Sequence, residues 1–94
     1  MELGGNIELF GVDEYSDNEL VVIKKVVGHF TRYFTETYPS FEGLRVTFDY
    51  EDGEFVLTAN LQLGDKVVTT TNSHKNKYFA IDAVLKSLET QAEA

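Results

Sequence analysis

Apolar and polar positions alternate along this chain with periods that change several times, and each change marks an element. Residues 6–10 set Ile7 and Leu9 against Glu8, the two-residue period of a short half-buried strand, which Gly11 and the pair Asp13 and Glu14 bring to an end. Ser16 and Glu19 have the spacing of a capping box, in which the serine hydroxyl accepts the third helical N–H and the glutamate reaches back to the serine N–H. A helix is predicted from there. Leu20, Ile23, Val27, Phe30 and Phe34 recur at three and four residues and form its buried stripe, which Val22, Val26 and Tyr33 are expected to widen. Pro39 stops this helix at about Thr37, because the residue before a proline is pushed out of helical geometry.

The period then returns to two. Leu44, Val46, Phe48 and Tyr50 alternate with Arg45, Thr47 and Asp49, so the second strand has one apolar and one polar side. Asp52-Gly53 favours a tight type I′ turn, after which Phe55, Leu57, Ala59, Leu61 and Leu63 resume the alternation. Gly64-Asp65 is a second turn signal of type II′, followed by a strand over 66–71 with the β-branched run Val67-Val68-Thr69-Thr70-Thr71. A connector over 72–76 leads to a second helix over 77–89, with Tyr78, Ile81, Leu85 and Leu88 on one face and Ala80 and Val84 beside it.

One-sided strands need their apolar face covered, and two amphipathic helices are what the chain offers for it. The predicted fold is therefore α+β: a two-layer sandwich in the order β-α-β-β-β-α, with a four-stranded sheet and both helices packed on one face. Residues 1–94 read as a single domain whose ends, 1–5 and 90–94, are expected to fray.

Composition narrows the function classes. There is no cysteine, which excludes a disulfide framework, a thiolate metal site and a cysteine nucleophile. His29 and His74 lack further ligands at metal spacing, and Glu51, Asp52 and Glu54 lack the spacing of a calcium loop. Ser16, Ser40, Ser73 and Ser87 have no nucleophile elbow around them, and no glycine-rich phosphate loop is present. The expectation is a protein that is not an enzyme and carries neither metal nor cofactor. The start lacks a basic n-region with an apolar run after it, and no segment is apolar enough to span a bilayer, so the chain reads as cytoplasmic with no membrane partner.

Charge complicates any reading that involves nucleic acid. Eight Lys and Arg stand against sixteen Asp and Glu, a formal net charge of -8, whereas phosphate binders usually lean basic. The cations are nevertheless grouped. Lys25, His29 and Arg32 form a row on the first helix away from its apolar stripe, with Lys24 flanking the stripe and Gly28 leaving the backbone bare beside it. His74, Lys75 and Lys77 gather at the start of the second helix, where positive side chains oppose the helix dipole unless an anion is present. Ordinary solvation, with Ser73 or Asn76 capping that helix, is the competing account. Lys86 follows Asp82 by four residues and is assigned to an exposed ion pair.

The order of elements over residues 6–90 resembles the ribosome-associated inhibitor and hibernation-promoting factor family, especially its short, single-domain members. The local likeness is best from Lys77-Tyr78-Phe79-Ala80-Ile81-Asp82 through Leu88, which is similar to the family's pattern of Tyr, small residue, Ala, Ile and Asp leading into an apolar helix. Ile7-Glu8-Leu9-Phe10-Gly11 and Lys24-Lys25-Val26-Val27-Gly28 are looser matches. The resemblance implies a non-enzymatic RNA-binding module of the stress response. It would bind ribosomal RNA in the decoding region of the small ribosomal subunit and silence translation by occupying the space of messenger and transfer RNA. With nothing after the second helix, the C-terminal dimerisation domain of the long members is not expected. The chain departs from the family in charge, since the family's RNA-facing helices are generally richer in Lys and Arg.

On this basis Lys24, Lys25, His29, Arg32, His74, Lys75 and Lys77 are the predicted RNA contacts. Two alternatives stand beside them. Helix, three strands and helix also describe a double-stranded RNA-binding domain, although the tight Asp52-Gly53 turn replaces that domain's groove-probing loop. The polar sheet face, with Thr47, Thr58, Asn60, Gln62 and several of Thr69, Thr70 and Thr71, offers a surface for protein interaction or a homodimer.

Overall fold

Local signals start and stop each element at almost the predicted places. The computed structural model describes residues 1–93. It contains β1 (Ile7–Phe10), α1 (Asp17–Thr37), β2 (Phe41–Glu51), β3 (Glu54–Leu63), β4 (Lys66–His74) and α2 (Lys77–Glu93). The capping box forms as expected: the Glu19 N–H donates to Ser16 Oγ at 3.2 Å, and the Ser16 N–H donates to Glu19 Oε1 at 2.9 Å. Both hairpin turns have two central residues. Asp52 and Gly53 take φ of 51° and 80°, and Gly64 takes 61°, backbone conformations that glycine adopts without the clash a Cβ brings.

The strands form one sheet in the order β1-β2-β3-β4. β1 runs parallel to β2, pairing Ile7 with Leu44 and Phe10 with Thr47, while β2, β3 and β4 form an antiparallel meander. α1 packs over β2 and beside α2, and α2 lies across β3 and β4. The core between the layers takes Leu44, Val46 and Phe48 from β2 and Leu57, Ala59, Leu61 and Leu63 from β3. The helices close it with Ile23, Val27, Phe30 and Phe34 from α1 and Ile81, Val84, Leu85 and Leu88 from α2. The other sheet face is open and tied by cross-strand side-chain bonds. Thr69 Oγ1 donates to Asn60 Oδ1 at 2.8 Å, the Thr58 and Thr71 hydroxyls lie 3.2 Å apart, and Arg45 pairs with Glu8 at 3.5 Å.

Several expectations are corrected. Val22 is 40% exposed and widens no stripe, because a residue one step from buried Ile23 is turned about 100° away from it. Tyr50 keeps the correct parity but is 62% exposed, since it stands near the end of β2 against the ring of Phe55. β4 continues through Asn72 and Ser73 to His74, because β3 is long enough to supply partners as far as Phe55. Thr70 does not share the open face: its hydroxyl turns to the helices and donates to the Val84 carbonyl at 3.0 Å.

Both ends make contacts with the rest of the chain in the described residues. The Leu9 N–H donates to the Met1 carbonyl at 2.8 Å and the Leu3 N–H to the Ile7 carbonyl at 2.9 Å, so the first residues fold back along β1. α2 continues past Thr90 to Glu93, held by buried Ala92 and by Tyr33, whose hydroxyl donates to Glu93 Oε1 at 2.8 Å. The expected fraying of Ala94 lies outside the described residues.

Candidate nucleic-acid interface

The geometry treats the two cationic groups differently. On α1, Lys25, His29 and Arg32 project from the exposed side of the helix, with exposed Val21 and Val22 among them. Lys24 stands on the flank, where Glu2, Leu3, Ile7, Val27, Gly28 and Thr31 line a groove between α1 and the N-terminal segment. α1 carries no carboxylate between Glu19 and Glu36, and among the described residues Lys24, Lys25 and Arg32 join no ion pair. A molecule of net charge -8 thus keeps a stretch of helix whose only charges are positive. Nothing lies within 4 Å of where a Gly28 Cβ would sit, so packing does not require glycine at this helical position.

The start of α2 is built to satisfy itself. Asn76 is the cap, its Oδ1 accepting the N–H of Tyr78 at 2.8 Å and of Phe79 at 3.2 Å. The Asn76 N–H donates in turn to His74 Nδ1 at 2.9 Å, and the Phe79 ring meets the His74 ring edge-on at 5.2 Å. The Tyr78 and Phe79 N–H groups, which an anion there would use, are therefore engaged within the chain. Ser73, the other capping candidate, belongs to β4.

Lys77 has an intramolecular seat. Its ammonium pairs with Glu19 at the first turn of α1 and lies 5.6, 5.4 and 5.1 Å from the ring centres of Tyr15, Phe55 and Tyr78. The side chain is only 18% exposed. The Lys77 bond, followed by the Ser16 N–H, holds the Glu19 carboxyl down at about 2, and the same contact with Glu19 raises the Lys77 ammonium above its ordinary value. This joins the starts of the two helices. Lys75 is left exposed, but at an acidic end of the molecule: cross-strand register brings Tyr50, Phe55 and His74 into one row beside the Glu51–Glu54 turn.

The two groups do not merge into a single strip by way of Lys77, because that side chain turns inward between the helices. The α1 group is compact and unpaired, whereas Lys75 alone is the open lysine of the second group. Sequence reasoning missed the partners Tyr15, Glu19 and Phe55, which lie far from Lys77 along the chain. Among the described residues no group of three His, Asp or Glu comes together to hold a metal, and no helix is long and apolar enough to cross a membrane.

No protein-family profile and no curated protein matches the sequence. Solved structures do. A ribosomal subunit interface protein from Coxiella burnetii is 17% identical and aligns over 94% of this chain and 91% of its own, with a TM-score of 0.69. The N-terminal domain of Protein Y from Thermus thermophilus is 19% identical over 93% of this chain and 92% of its own, with a TM-score of 0.68. Across nearly its whole length, the chain has the fold of these two proteins.

Proposed function

We propose that this protein is a cytoplasmic, non-enzymatic ribosome-associated module of the hibernation-factor family. It binds ribosomal RNA of the small subunit and silences translation by occupancy. The observation that carries this reading is the joint one of fold and charge. Likeness to a ribosomal subunit interface protein extends over 94% of the chain, and the one helix free of carboxylates in its middle presents Lys24, Lys25 and Arg32. Occupancy needs no bond-making chemistry.

In this reading α1 meets phosphates and the open lysine at the start of α2 adds at most one further contact. His29 and Arg32 extend the same row, and His74 and Lys77 serve the fold. A double-stranded RNA-binding role is less well supported, because the Asp52–Gly53 turn is too short to enter a groove and Glu51, Asp52 and Glu54 surround it.

The test is co-sedimentation with purified small ribosomal subunits at low and near-physiological salt. The wild type is expected to bind at both, more weakly at the higher salt. Absence of binding at either salt would overturn the proposal.

A further inference from the structure

The two edges of the sheet are finished in opposite ways. Outside β1 the chain turns back on itself, with Met1 and Leu3 bonded to Leu9 and Ile7 and Glu2 bridged to Glu8, so that edge is covered. β4 is the other edge. It pairs with β3 in unbroken register from Lys66 to His74, and no strand lies on its far side among the described residues. Exposed edges are usually blunted by charge, proline or a bulge. β4 has none of these between its ends: residues 67–73 are Val-Val-Thr-Thr-Thr-Asn-Ser, in a chain of which 26% of residues are charged.

We propose that β4 is a self-association edge, and that two copies of this chain join by antiparallel β4–β4 pairing centred near Thr70 into one eight-stranded sheet. The occupant is a second copy because the strand carries no charge between Lys66 and His74, so two copies of this acidic chain meet along it without opposed carboxylates. Pairing about Thr70 sets Val67 against Ser73, Val68 against Asn72 and Thr69 against Thr71, with Lys66 and His74 meeting only at the ends. No carboxylate enters this contact, whereas sixteen carboxylates spread over the rest of the chain oppose other approaches of one copy to another.

The flank of α2 permits the approach. Ser87 Oγ donates to Asn72 Oδ1 at 3.0 Å, which puts Ser87 on the β4 side of the helix, and Ala83 stands one turn before it on the same side. Lys86 and Asp82 pair with each other away from Ser87. Because β1 is covered, growth stops at two copies: the contact is isologous and closes, instead of propagating head to tail. This contact uses the strand edge, not the threonine-rich face, and does not depend on ribosome binding.

The experiment is sedimentation of the full chain from about 10 µM to about 1 mM, with hydrogen exchange read at both concentrations. Dimer is expected to accumulate with concentration, with added amide protection in β4 and none in β1. V67K/T71K, which puts two lysines on the edge, is expected to weaken dimerisation at least about tenfold. A83K tests the same contact from the helix, independently of any effect of the first variant on the strand. A chain that stays monomeric throughout overturns the proposal, as does a dimer whose β4 protection ignores concentration and which both variants leave intact.

Discussion

The two cationic groups of this protein look alike in sequence and differ in what their charges face. Lys24, Lys25 and Arg32 stand on a stretch of α1 without a carboxylate, while Lys77 faces Glu19 and three aromatic rings and its neighbours cap a helix. A cation is available to an outside phosphate only if the fold has not already supplied it with a partner. Under the proposed function the difference gives recognition to α1 and cohesion to the start of α2, and it can be broken or sharpened by treating the two groups in the same way.

The largest effect is expected on binding. Replacing Lys24, Lys25 and Arg32 together with Ala should lower affinity for small subunits on the order of a hundredfold and reduce the slope of log affinity against log salt by roughly two, as for three lost phosphate contacts on single-stranded RNA. Circular dichroism should show the helices intact, since all three side chains are exposed. Unchanged co-sedimentation would remove α1 from the interface.

K77A should act in the opposite sense. Losing the ring contacts is expected to cost about 1–2 kcal/mol of stability in urea titration, with the salt slope of ribosome binding preserved. A smaller, pH-dependent effect accompanies it. The Glu19 carboxyl is held at about 2 against an ordinary 4.5, so its contribution is present in full above 4.5 and is lost as pH falls toward about 2. E19Q should flatten that part of the stability curve, and an identical acid limb in both proteins would show that the Glu19–Lys77 pair is not formed in solution.

G28A is expected to change least, and the sign of each change is informative. With nothing near its Cβ, alanine should stabilise α1 by up to about 1 kcal/mol, seen as a small rise in Tm. If the bare backbone at Gly28 touches RNA, ribosome affinity should fall while stability rises. A parallel rise in both would place Gly28 outside the contact.

Most of the fold was legible because its signals are local. Ser16 and Glu19 mark a helix start within four residues, Asp52-Gly53 fixes a turn within two, and alternation in β2 and β3 fixes which side is buried. What was not legible depends on distant partners. The continuation of β4 to His74 follows from the length of β3, the folding back of residues 1–3 follows from the free edge of β1, and the role of Lys77 follows from Tyr15, Glu19 and Phe55. The α1 half of the candidate site could be read from spacing along one helix. The α2 half could not, because a list of cations does not record which of them already have an anion.

The parallel pairing of β1 with β2 also imposes an order in time. β2, β3 and β4 are joined by two-residue turns and can zip as neighbours, but Ile7 has no partner until Leu44 exists, with all of α1 lying between them. During synthesis the first strand leaves the ribosome early and waits. Pulse-labelled hydrogen exchange during refolding should accordingly find the meander protected before β1, so that the oldest strand of the chain is the last to join the sheet.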